Sequence, residues 1–131
     1  MQVRWGRLVV GSVIAELTVI ALLAVVVVII GPHAPLADQV FAQNLGRWVG
    51  PIGGALVTFL GTLVIARPLS TDQVAHGLLL GGLLALLDIT ILVASRAPFE
   101  WIFVVSNLGK IVAGYLGAVI AGPLKSRRLR Q

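Results

Sequence analysis

Three side chains carry charge inside otherwise apolar stretches of this chain: Glu16, Asp88 and Lys110. Ionisable groups at that depth are costly in hydrocarbon, and they mark a functional site by default. Two carboxylates and one ammonium sum to −1, and a buried carboxylate without a partner is unfavourable. Either Lys110 bridges both carboxylates, or Glu16 stays protonated. The first arrangement makes a static triad that fixes helix register. The second makes a proton- or cation-exchanging site with Glu16 as the titrating group. Asn107 lies one turn from Lys110, where its amide can complete the donor and acceptor shell of the ammonium. His76 follows Asp72 by four residues, so those two can pair on one helix face.

Other chemistries find little footing. The chain has no cysteine, so no disulfide, thiolate metal site or thiol nucleophile arises. His33 and His76 fall at opposite ends of the expected spans, so no metal site is expected, and nothing in the sequence indicates a cofactor. No serine shares a depth with a histidine that could act as its base, so an enzyme is not expected. Thr18, Thr58, Thr62 and Thr90 are placed to bond carbonyls one turn back in their own helices.

The elements that must position these groups follow from hydropathy. Of 131 residues, 58% are hydrophobic and only 11% charged, where a soluble domain carries about a quarter charged. Mean hydropathy is +1.02. Lipid must therefore be part of the solvent. Four apolar stretches each approach the ~20 residues a helix needs to cross the bilayer: about 8–30, 48–66, 74–95 and 101–124. Breakers separate them at Gly31-Pro32 with Pro35, at Arg67-Pro68 and at Ala97-Pro98, and Gly122-Pro123 closes the last. The β-branched run from Val25 to Ile30 stays helical in lipid, because every backbone group must be satisfied within its own segment. Arg4 and Arg7 precede the first stretch, as in a signal peptide. Its apolar core of about 23 residues exceeds the roughly 7–15 of signal segments, so it reads as a signal anchor. The expected fold is an all-α polytopic bundle of four transmembrane helices in a single domain spanning 1–131.

Basic residues orient it. Arg4, Arg7, Arg67, Lys125, Arg127, Arg128 and Arg130 collect on one side, against Arg47 and Arg96 on the other. Positive charge stays cytoplasmic, which puts both termini inside a cell (inner) membrane. Trp5, Trp48 and Trp101 mark the two interfaces. The net charge of +5 is therefore topological and implies no nucleic acid. The basic tail, 125–131, with Lys125, Arg127, Arg128 and Arg130, suits anionic lipid at the cytoplasmic face. The outer loop, 31–47, carries Leu36, Val40, Phe41 and Leu45 at helical spacing, fitting a short surface helix or a loop with one helical turn. Asn44-Leu45-Gly46-Arg47 recurs as Asn107-Leu108-Gly109-Lys110, 63 residues on, an offset suited to a parallel two-helix repeat.

Depth and facing join the charges. At 1.5 Å per residue, Glu16 lies about 12 Å from the cytoplasmic end, Lys110 about 18–21 Å and Asp88 about 21 Å. Asp88 falls on the face of Gly77, Gly81 and Ala85, and Lys110 on that of Ala113, Gly117 and Ala121. An Asp88–Lys110 ion pair between helices three and four is expected. Small residues let helices approach closely in lipid. Gly50, Gly54, Thr58 and Thr62 form such a row in helix two, and helix four adds Gly114, Ala118 and Gly122. With two rows on helix four, one can serve a homo-oligomer or a membrane complex.

Ala15-Glu16, His76-Gly77 and Lys110 followed by Gly114 and Gly117 resemble small bacterial four-helix integral membrane proteins. The resemblance covers most of the chain and implies a membrane bundle with no particular activity. Ala15-Glu16 is also similar to helix one of small multidrug-resistance transporters, whose aromatic-lined site is missing here and whose free carboxylate Lys110 would neutralise. Small fluoride channels carry Thr-Thr-Phe-Ser-Thr in helix three, where this chain reads Leu83-Leu84-Ala85-Leu86-Leu87-Asp88. The expected function is a non-enzymatic membrane component or accessory subunit. The alternative is a small oligomeric proton-coupled transporter or channel using Glu16.

Overall fold

The computed structural model describes residues 5–69, 72–96 and 98–128, with side chains through 122. Four helices run in sequence: α1 (Trp5–Ile30), α2 (Pro35–Ala66), α3 (Gln73–Ala94) and α4 (Trp101–Arg128). All four are long and apolar enough to cross a membrane. There is no strand among the described residues. Shifted by 63, the bounds of α1 and α2 become 68–93 and 98–129, close to those of α3 and α4.

One boundary differs from expectation. Residues 35–47 are neither a loop nor a separate surface helix, because α2 begins at Pro35 and continues without a break. The linker breakers Gly31 and Pro32 lie upstream of that point, and Pro35 itself suits the first helical position, where its missing N–H would be unpaired anyway. Asp38 supports the start, its carboxylate accepting the His33 backbone N–H at 3.0 Å. At the other end of α2, the Gln73 amide donates to the Ala66 and Leu69 carbonyls at 3.3 and 2.9 Å, satisfying orphan acceptors of the turn. Among the described residues, each connection contains one non-glycine residue in the left-handed region: His33, Asp72 and Arg96.

Packing makes α2 and α3 the middle pair. Both α1 and α4 pack on each of them, while α1 and α4 share no backbone contact. The α3–α4 seam is the tightest. Gly77 and Gly114 press on each other's carbonyls, and a Cβ at Gly81 would lie 2.7 Å from the Lys110 carbonyl. The second small row of α4 meets α2, where a Cβ at Gly117 would lie 2.7 Å from the Phe59 carbonyl. Both rows of α4 are thus used within the chain. Leu8, Ala15, Leu80 and Leu84 form an apolar core between α1 and α3. Beside them the interior holds Ser12, Glu16, Thr58, Thr62, His76, Asn107 and Lys110. Long apolar side chains such as Val28, Ile29, Leu36 and Val64 point outward instead. That inversion suits a lipid solvent, in which outward apolar groups cost nothing and inward polar ones find partners.

Candidate functional site

Lys110 projects from α4 into the space between the other three helices, with the residue 2% exposed. Its stem lies over Gly54 of α2, where an added Cβ would come within 2.6 Å of Lys110 Cε. The absent side chain at Gly54 is what lets the stem pass. Beyond it, Nζ sits 3.2 Å from Asp88 Oδ2 of α3 and 3.6 Å from Glu16 Oε2 of α1. One ammonium therefore serves two carboxylates from different helices, and it links α1 to α4, whose backbones do not approach closely. Both carboxylates are partly shielded, with side chains 22% exposed for Asp88 and 12% for Glu16.

The remaining polar groups divide. Asn107 does not complete the Lys110 shell: its amide donates to the Phe103 carbonyl at 2.9 Å, and its buried Oδ1 has no partner. The reason is local, since a carbonyl four residues back in the same helix lies closer to hand than the ammonium. Thr18, Thr58 and Thr90 bond the carbonyls of Ile14, Gly54 and Leu86 at 2.6–2.7 Å. Thr62 departs from that pattern, its buried hydroxyl being without a partner. Buried His76 places Nδ1 2.9 Å from the Asp72 backbone carbonyl, so the Asp72–His76 contact runs to the main chain. The side chains of Lys125, Arg127 and Arg128, and the whole of Arg130, lie outside the described residues.

Two further features emerge only in three dimensions. The first is an ion pair between Arg47 of α2 and Glu100 before α4, at 2.8 Å. Trp48 and Trp101 flank it. Opposite charges at the same end of two spans were the available signal. The second is a funnel of about 600 Å³ at this end of the bundle, its wall mixing charged side chains with apolar ones such as Leu92, Ile102 and Phe103. Gln43, Arg47, Ser95 and Arg96 stand exposed around its mouth, and Asp88 and Ser106 line its depth. Gly50 and Pro51 form part of the α2 wall. Proline at 51 lies inside α2 and lacks the N–H that would bond the Arg47 carbonyl. A separate apolar groove of about 530 Å³ runs between α3 and α4, lined by residues such as Ile89, Phe99 and Leu108.

No family model, curated protein or solved structure matches the chain.

Proposed function

We propose that the chain is a non-enzymatic, four-span integral membrane protein in which Glu16, Lys110 and Asp88 form a structural clamp. It serves as a component or accessory subunit of a membrane assembly. The observation that carries this reading is the reach of one side chain. From α4, Lys110 meets α1 through Glu16, α2 through Gly54 and α3 through Asp88. A buried group contacting every helix fixes register and spacing together, the best-attested use of buried charge. Arg7 and Arg67 at one end, against Arg47 and Arg96 at the other, support cytoplasmic termini in an inner membrane. In that orientation the basic tail of Lys125, Arg127, Arg128 and Arg130 meets anionic lipid.

A second reading is a small oligomeric proton-coupled transporter or channel that titrates Glu16. The funnel favours it, because it brings a cavity open at one end of the bundle to Asp88, beside the cluster. Infrared difference spectra of reconstituted wild type and Glu16→Gln separate the two. A clamp leaves the Glu16 carboxyl without titration between about pH 5 and 8; a Glu16 band titrating in that window puts the transporter ahead.

A further inference from the structure

The funnel and the clamp meet at one residue. Asp88 lines the funnel, whereas Glu16 does not. The Asp88 side chain is also the more exposed of the two carboxylates, 22% against 12%. Exposure falls steadily along the path, from Arg47 and Arg96 at the mouth, through half-buried Asp88, to Ser106 at 5%. The funnel thus opens one carboxylate of the clamp toward one end of the bundle.

We propose that this funnel is a one-sided proton inlet, and that Asp88, not Glu16, is the carboxylate that accepts a proton from the outer aqueous phase. The inference rests on the clamp reading and adds to it a proton-binding site with a defined entrance. The charged groups facing Asp88 are Lys110 from α4, Glu16 from α1, Arg47 from α2, and Arg96 and Glu100 from the α3–α4 connection. Arg47 and Glu100 are committed to each other. The local choice therefore lies among Asp88, Glu16 and the single ammonium between them. When a hydronium ion in the funnel gives its proton to Asp88, an O–H bond forms on the carboxylate and water departs. Lys110 remains an ammonium and keeps Glu16 as its charged partner. The cluster passes from a net charge of −1 to 0, and the α3–α4 half of the clamp loosens while the α1–α4 half tightens. Acidity on the outer side is thereby read at the bundle centre.

The chain contains no cysteine, which makes single-cysteine labelling direct. In vesicles with the α3–α4 connection outward, marked by Arg96→Cys, a charged membrane-impermeant thiol reagent is expected to label Ser106→Cys. It is expected to leave Val104→Cys, on the exposed apolar flank of the same helix, unmodified. In the same vesicles, lowering the outer pH should raise a protonated-carboxyl infrared band. That band should be lost in Asp88→Asn and should persist in Glu16→Gln, displaced to lower pH because Asp88 is then the only charged partner of Lys110. An unreactive Ser106→Cys that labels once denatured overturns the inlet, and so does a band lost in Glu16→Gln but kept in Asp88→Asn. The two readings fail separately: Glu16 titrating near neutral pH removes the clamp, whereas silence at Ser106 and Asp88 removes the inlet alone.

Discussion

Replacing Lys110 with methionine keeps the length of the stem over Gly54 and removes the charge. The ammonium lies 3.2 Å from Asp88 and 3.6 Å from Glu16. At an effective dielectric of about 20, each contact represents about 5 kcal/mol of Coulomb attraction before desolvation is subtracted. Without it, each carboxyl either stays ionised beside the other or takes up a proton. Protonating a carboxyl of ordinary acidity at pH 7 costs about 4 kcal/mol, and stranding a buried charge costs about 3–5 kcal/mol. Lys110→Met should therefore destabilise the bundle by about 3–5 kcal/mol at pH 7. A pH signature follows. Folding of the variant takes up protons, so its stability rises as pH falls, by about 2–3 kcal/mol from pH 7 to pH 5. Reversible unfolding by sodium dodecyl sulfate in mixed micelles, followed by the fluorescence of Trp5, Trp48 and Trp101, measures both quantities. The control is Glu16→Gln/Asp88→Asn/Lys110→Met, in which no charge is stranded and stability should return to within about 2 kcal/mol of the parent. A Lys110→Met deficit under about 1 kcal/mol, or one unchanged at pH 5, would refute the clamp energetics.

The glycines discriminate between helix contact and charge placement. Gly77→Val should cost about 3 kcal/mol or more in the same unfolding assay, because its Cβ meets the Gly114 carbonyl and the α3–α4 seam must separate. Gly54→Val should displace the Lys110 stem and reproduce part of the Lys110→Met pH signature, whereas Gly50→Ala, with nothing within 4 Å, should lack it. Thr58→Val should lose about 1 kcal/mol with its 2.6 Å bond to the Gly54 carbonyl. Thr62→Val should be neutral or stabilising, since the hydroxyl it removes is buried without a partner; a larger loss at 62 than at 58 would contradict these bonding assignments.

What the sequence determined was the set of local quantities. Runs of about 20 apolar residues, their breakers and the rows of small residues need only the composition and the rise per residue of a helix. The same rise and 100° turn placed Asp88 and Lys110 at one depth and on small-residue faces, so those two were legible as neighbours. Residues 35–47 were not, because hydropathy sees where lipid-compatible composition begins, while a helix continues as long as nothing breaks it. Asn107 was misplaced for a related reason: sequence spacing shows what a side chain can reach, and several acceptors compete within reach. Only the tertiary structure decided that α1 and α4 lie apart across the α2–α3 pair, that Gly54 leaves the passage for Lys110, and that a funnel ends on Asp88 rather than Glu16. Those outcomes depend on how four cylinders settle against one another. That settling turns on close backbone approach at Gly77, Gly114 and Gly117, a long-range fit that no local periodicity encodes.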